Sequence, residues 1–242
     1  MTEKASALIV GAGDATGGAI ARRFAREGLI ACVARRNGDK LAPLVARIEA
    51  DGGAARAFGV DARREDDVAA LFETIEREVA PLAIVVFNIG ANVNFPIRDT
   101  TARVYQKVWE MACFAGFLTG REAARKMTPR GRGTIVFTGA TASVRGRSGF
   151  AAFSSAKHAL RALAQSMAKE LGPEGVHVAH VVIDGAIDTP WIRENFPDRA
   201  ALKPQDGILD PDAIAEMYWM LHRQPRSAWT HEMDLRPWME DW

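Results

Sequence analysis

A glycine-rich turn near the start of the chain could bind a phosphate-bearing ligand. Residues 11–17, GAGDATG, follow a short apolar segment and precede apolar residues at helical spacing. Glycines in such a turn let the backbone approach a pyrophosphate, whose charge is met by N–H groups at the helix N-terminus. The alternative is a tight turn that serves helix–strand packing alone. The glycine-rich turn lies in the first strand–helix unit, and this position favours dinucleotide binding. The candidate contacts are Gly11, Gly13, Asp14, Ala15, Thr16 and Gly17.

Two arginines after the predicted second strand bear on the choice of dinucleotide. An acidic residue at this point would bind the ribose hydroxyls of NAD, but Ala34 offers no carboxylate. Arg35 and Arg36 follow it, and a guanidinium group pairs well with a 2′-phosphate. The arginines therefore favour NADP(H) over NAD(H). A solvated strand end is the alternative, and NAD(H) stays open.

Alternating strands and helices are needed to bring these residues to one edge of a sheet. Apolar runs predict strands at residues 7–10, 30–34, 57–60, 82–87, 134–138 and 176–183. Helical spacing covers residues 102–127, 153–171 and 213–222, and residues 228–235 are a candidate final strand. This alternation predicts an α/β fold with a doubly wound parallel sheet, a Rossmann fold, in a single domain.

Composition excludes several classes of function. The chain of 242 residues has 31 basic and 30 acidic side chains, so no basic field indicates a nucleic-acid partner. Its two cysteines lie in apolar settings and the N-terminus lacks the pattern of a signal peptide, which favours the cytoplasm. The longest charge-free stretch contains two prolines, so no membrane span is expected. No cluster of His, Cys and carboxylate residues has the spacing of a metal site.

With these motifs the chain resembles the short-chain dehydrogenase/reductase family. Gly11, Ala15 and Gly17 match the spacing of its G-x-x-x-G-x-G turn, with alanine replacing the middle glycine. Asp14 stands where members that use NADP(H) often carry a basic residue, which opposes the inference from Arg35. The resemblance implies a small-molecule substrate and a homodimer or homotetramer. It also implies cofactor contacts from Asp61 and Ala62, from Asn88 and Gly90, from Lys157, and from Gly185, Ile187 and Thr189.

The active-site motif departs from the family pattern. The family places tyrosine four residues before lysine on a helix, which puts both side chains on one face. Here Lys157 is present, but Phe153 occupies the tyrosine position and Ala140 the position of the usual serine. No asparagine stands near Ala112 or Cys113, where the family has one. Lys157 is therefore the one expected catalytic residue, and contact with the cofactor ribose alone is an equally good interpretation.

The missing phenol leaves the proton donor open. General acid catalysis contributes about 10²- to 10⁴-fold, less than positioning of the reactants can contribute, so its loss need not abolish activity. Thr141, Ser154, Asp184 or water could substitute, although Asp184 could equally be a turn residue bonded to its own backbone. One hypothesis is an oxidoreductase acting on a small carbonyl, alcohol or enone with a non-standard donor. The other is a catalytically disarmed NAD(P)-binding protein that acts as a sensor or oligomer subunit.

The C-terminal third contains two segments without a clear period. Residues 189–209 are rich in Pro, Asp and Arg and are predicted to form a long loop or lid. Trp191 at its start is a candidate for the wall of an apolar substrate pocket. The aromatic tail from Trp229 to Trp242 favours subunit contact, because exposed aromatic patches usually mark interfaces.

Overall fold

A seven-stranded parallel sheet forms the centre of the computed structural model, which describes residues 4–240. The strand order is β3-β2-β1-β4-β5-β6-β7, and the order reverses beside β1. In such sheets ligands bind outside the carboxyl ends of the strands where the order reverses. The strands are β1 Ser6–Val10, β2 Ile30–Arg35, β3 Ala54–Gly59, β4 Leu82–Phe87, β5 Gly133–Thr138, β6 Val176–Ile183 and β7 Glu232–Leu235.

Helices cover both faces of the sheet. On one face α1, α2 and α9 pack through residues such as Phe24 and Tyr218, and on the other α3, α5 and α6 pack through residues such as Phe72 and Leu160. The helices are α1 Thr16–Arg26, α2 Ala42–Ala50, α3 Glu65–Glu78, α4 Ala102–Trp109, α5 Ala115–Met127, α6 Ala151–Leu171, α7 Pro190–Asn195, α8 Pro197–Ala200 and α9 Pro211–Arg223. Among the described residues, none of these helices is long and apolar enough to cross a membrane.

Coverage on both faces explains why the central strands β1 and β4 contain continuous apolar runs. In β1, Ala7 and Ile9 join the core under α1, whereas Leu8 and Val10 join the core under α3. Successive side chains of a strand point to opposite faces, so a strand covered twice cannot alternate apolar and polar residues. The predicted α/β fold with a doubly wound parallel sheet is confirmed.

Several boundaries differ from the predicted ones. Strand β3 is Ala54–Gly59 rather than 57–60, because it is an edge strand with half-exposed residues and no continuous apolar run. The predicted helix 102–127 is interrupted by a π-helical turn, Glu110–Phe114. The predicted final strand is confined to Glu232–Leu235.

The region predicted as a loop or lid contains short helices. Thr189 accepts a hydrogen bond from the Ile192 backbone N–H at 3.1 Å and caps α7, and prolines begin both α7 and α8. A parallel bridge between Ile187 and Leu209 closes the base of the segment. The two ends are therefore anchored to each other.

The aromatic tail is used in two different ways. Trp229 stacks on His177 with ring centroids 4.9 Å apart, so this end packs within the chain itself. Trp238 is 76% exposed. Trp242 lies outside the described residues, and the role of the tail in subunit contact stays a prediction.

Candidate active site and cofactor cleft

The glycine turn after β1 presents bare backbone. Gly11 has φ +92°, and a Cβ there would lie 2.8 Å from the carbonyl carbon of Asn88. A Cβ on Gly17 would lie 2.7 Å from the Gly11 carbonyl oxygen, so both positions need glycine. The Asn88 side-chain amide donates to that same oxygen at 3.2 Å and fixes the turn against β4. A Cβ on Gly13 would meet nothing within 4 Å, which leaves room beside the turn.

The N-terminus of α1 has unused hydrogen-bonding groups. Ala15 occupies the N-cap position and supplies no side-chain acceptor, and the first turn contains no acidic residue. The Thr16 hydroxyl is buried without a partner among the described residues. The first N–H groups of a helix lack intrahelical partners, so this end is suited to an anion.

Two adjoining cavities extend from this turn along the carboxyl edge of the sheet. They have volumes of about 600 and 880 Å³ and share Gly11, Gly13, Asn88, Ile89 and Gly90. We call the whole the cleft, the smaller cavity its β2–β3 end and the larger cavity its β5–α6 end. The β2–β3 end is lined by Arg35, Arg36, Asp61 and Ala62 of the predicted set, and by Lys40 and Arg63. The β5–α6 end is lined by Asp14, Ala15, Thr16, Gly17, Ala140, Thr141, Phe153, Ser154, Lys157, Gly185 and Ile187.

Two predicted residues lie outside this lining. Thr189 comes two residues after Ile187, which lines the cleft, and the Thr189 hydroxyl caps α7. Asp184 lies behind the wall at the end of β6 and is only 2% exposed. The other candidates meet in one continuous cleft, although they come from seven separate segments of the chain.

Asp61 at the β2–β3 end is held by a residue that the sequence analysis missed. Arg63 donates to both carboxylate oxygens of Asp61 through its side chain, at 2.9 and 2.5 Å. The Arg63 guanidinium, mainly through these hydrogen bonds, lowers the pKa of Asp61. The available signal in the sequence was an arginine two positions after Asp61, close enough to pair with its carboxylate.

Lys157 is buried beneath the β5–α6 end. Its ammonium donates to the backbone carbonyls of Thr138 at 2.8 Å and Ile89 at 3.2 Å, which end β5 and follow β4. Burial lowers the pKa of Lys157 from 10.5 to about 8, because the charged form loses its hydration. The Phe153 ring, one turn earlier on α6, has its centroid 6.0 Å from this nitrogen.

Neither tyrosine of the chain lines the cleft. Tyr105 is exposed on α4. Tyr218 is fully buried on the other side of the sheet, and its hydroxyl lies 2.8 Å from that of Thr138. Burial raises the pKa of Tyr218. The Tyr218 phenol therefore contacts the Thr138 side chain at the end of β5 but does not reach the cleft.

The three candidate substitutes differ in how they are placed. Thr141 is half-buried and its hydroxyl donates to Asp184 at 2.6 Å. The carboxylate of Asp184 also accepts from Arg145 at 2.8 and 3.0 Å and lies 3.5 Å from Arg236. The interpretation of Asp184 as a turn residue bonded to its own backbone is therefore wrong. The Ser154 hydroxyl is enclosed and has no partner among the described residues.

The π-helical turn supplies the wall beside Lys157. It contains Ala112 and Cys113, where the sequence analysis noted the lack of an asparagine. Burial raises the pKa of the Cys113 thiol, and the charge of Lys157 opposes that rise. This wall is therefore apolar and uncharged where it meets the lysine.

Comparisons with known proteins agree on one family. A family model described as "short chain dehydrogenase" matches residues 5–200. Gluconate 5-dehydrogenase of Gluconobacter oxydans (strain 621H) is 30% identical over 174 residues, 72% of this chain and 68% of that protein. Cis-4-hydroxycyclohexanecarboxylate dehydrogenase of Sinomonas cyclohexanicum is 30% identical over 220 residues, 87% of this chain and 86% of that protein. The crystal structure of a short-chain dehydrogenase from Rhodopseudomonas palustris has 53% identity and a TM-score of 0.84, covering 97% of this chain and 99% of that one.

Proposed function

The chain belongs to the short-chain dehydrogenase family and is an oxidoreductase of that family, and we propose that it transfers hydride without the usual phenol. The proposed reaction takes place between a nicotinamide dinucleotide and a small carbonyl, alcohol or enone substrate. The observation that carries this proposal is the position of Lys157 beneath a continuous cleft. Phe153, one helical turn before Lys157 on α6, lines the wall of this cleft.

The residues of the cleft fit the dinucleotide. The open side of Gly13, the uncapped N-terminus of α1 and the orphaned Thr16 hydroxyl together suit a pyrophosphate. Lys157 lies at the β5–α6 end, where its ammonium would hold ribose hydroxyls. When bound, the nicotinamide ring gives or accepts the hydride. The protein's own contribution is to fix the ring and the substrate carbon at contact distance.

Charge at the β2–β3 end supports NADP(H) over NAD(H). Arg35 and Arg36 line this end together with Lys40, and Asp61 is already bonded to Arg63. These cations suit a 2′-phosphate. Asp14 belongs to the glycine turn where the two ends join, and its negative charge opposes this preference.

Thr141 is the substitute that the geometry favours for handling the substrate proton. Ser154 also lines the cleft, but its hydroxyl is buried without a partner among the described residues, and Asp184 lies behind the wall. Thr141 lines the cleft, is half-buried and donates to Asp184. When an alcohol is oxidised, the Thr141 oxygen accepts the substrate's hydroxyl proton and passes its own to Asp184. Reduction of a carbonyl returns a proton along the same path. Lys157 remains charged near neutral pH and has no phenol to act on, so its role is binding and positioning.

The experiment is a turnover screen of carbonyl, alcohol and enone substrates with both coenzymes. We expect the native chain to turn over, and Thr141→Val to lose about 10²-fold or more in kcat, in the range of general acid–base catalysis. Ser154→Ala, the matched loss of a hydroxyl from the same wall, should retain activity.

Two results would contradict this proposal. Equal activity of Thr141→Val and the native chain would remove Thr141 from the proton path. The disarmed alternative would be supported if the native chain bound coenzyme but never turned over, while Phe153→Tyr combined with Ala140→Ser created activity.

The proposal extends to assembly and location. Exposed aromatic side chains on α4 and α5, Trp109 and Phe117, stack through Phe114 and support a homodimer or homotetramer. The free buried cysteines Cys32 and Cys113 suit the reducing cytoplasm. Light scattering of the purified chain tests the assembly, and a single-chain mass would contradict it.

A further inference from the structure

We propose that the substrate carries a carboxylate on an apolar body and that Arg147 binds this carboxylate at the β5–α6 end of the cleft. The inference rests on the proposed function, because it concerns the substrate of the same site. It depends on which charges of the cleft already have partners.

Positive charge exceeds negative charge at this end. The lining contains the cations Arg145, Arg147, Lys157 and Arg199 and the carboxylates Asp14 and Glu240. When the buried Asp184 is counted as well, this end still has four cations against three carboxylates.

Three of these cations are already held by the protein. Arg145 is bonded to both oxygens of Asp184, and Arg199 reaches Glu240 at 3.4 Å. The ammonium of Lys157 donates to two backbone carbonyls.

Arg147 differs from these three. Within residues 4–240 it makes no ion pair, and its guanidinium carbon lies 6.0 Å from the centroid of the Phe150 ring. Arg147 lines the same cavity and is exposed, so its guanidinium is accessible to an anionic ligand.

A single guanidinium of this kind matches a monoanion. Arginine binds a carboxylate through two parallel hydrogen bonds, which adds both affinity and orientation. The neighbouring surface is apolar, because Phe150, Phe153 and Ile187 line the same cavity. A substrate that satisfies both features has a charged end and an apolar part that contains the reacting carbon.

The loop that carries Arg147 is fixed from behind. Asp184 accepts hydrogen bonds from Thr141 and Arg145, so the chain is anchored both at the proposed proton path and two residues before Arg147. Arg147 and Thr141 therefore belong to one anchored segment that lines the same cavity.

The test uses three keto acids and their methyl esters, 4-oxopentanoate, 4-oxocyclohexanecarboxylate and 4-acetylbenzoate. Each is titrated by calorimetry into the native chain saturated with NADP⁺, so binding is read without turnover. We expect at least one acid to bind about tenfold tighter than its ester, equivalent to about 1.4 kcal/mol. Arg147→Gln should remove the preference. Arg77→Gln, an exposed arginine on α3, is the control and should keep it.

The outcomes separate this inference from the proposed function. Equal binding of acids and esters, no binding of any acid to the coenzyme complex, or a preference that survives Arg147→Gln would overturn the inference alone. A weaker affinity of Arg147→Gln for NADP⁺ itself would assign Arg147 to the coenzyme and also overturn it. Failure of the native chain to bind either NADP⁺ or NAD⁺ before any probe is added would instead contradict the proposed function.

Discussion

Replacement of Lys157 by methionine should change how the stability of the fold depends on pH. The ammonium is buried and its pKa in the folded chain is about 8, against 10.5 for a free lysine. At pH values between these two pKa values, Lys157 is protonated in the unfolded chain but has released its proton in the folded chain. Unfolding then takes up protons, so the free energy of unfolding rises with pH in this window.

The size of the effect follows from the two pKa values. At pH 7 lysine is charged in both states, and the shift costs the folded state about 3 kcal/mol. At pH 10 the same relation gives a cost to the folded state of less than about 1 kcal/mol. The native chain should therefore gain about 2.5 kcal/mol relative to Lys157→Met between pH 7 and pH 10. The hydrogen bonds to Thr138 and Ile89 are lost at every pH in the variant, so to first order they cancel from this difference.

Urea denaturation of both chains at several pH values measures the difference directly. Lys107→Met, at an exposed site on α4, controls for the loss of one lysine. A stability difference between the native chain and Lys157→Met that stays constant from pH 7 to pH 10 would refute the reasoning. It would mean that the ammonium is hydrated in solution and that its burial carries no such cost.

Three further substitutions test other parts of the account. Arg35→Asp should shift the ratio of dissociation constants from NADPH toward NADH by about tenfold, because a carboxylate repels the 2′-phosphate and suits ribose hydroxyls; an unchanged ratio in fluorescence titration would remove Arg35 from that end. Asp184→Asn should lower the free energy of unfolding by roughly 2 kcal/mol, below the value for a fully buried pair because Arg145 is 38% exposed. Urea denaturation checks this value, and native stability would contradict it. Gly11→Ala should destabilise the chain by about 1–3 kcal/mol, since φ is +92° there and the added carbon meets Asn88; a melting temperature equal to that of the native chain would show that the turn can relax.

The central sheet could be predicted from the sequence because its strands are buried on both faces. An uninterrupted apolar run such as β4 is visible without any knowledge of its neighbours. The edge strand β3 has no such run, and its limits depend on pairing with β2, for example Ala57 with Val33. Its boundaries were therefore wrong.

The glycine turn and Lys157 could be predicted because each belongs to a short motif. The Asp184 cluster could not, since Thr141 and Asp184 are 43 residues apart and meet only because β5 and β6 are neighbours. Arg147 likewise carries no local signal. Its significance depends on which other arginines already have carboxylate partners, and only the folded chain shows that.

Equilibrium titration of the purified chain with NADPH and NADH, followed by fluorescence, tests the central claim most directly. We expect saturable binding with one site per chain, with a lower dissociation constant for NADPH than for NADH, and weaker binding by Lys157→Met than by the native chain. Binding of neither coenzyme would contradict the assignment of the cleft and every role derived from it.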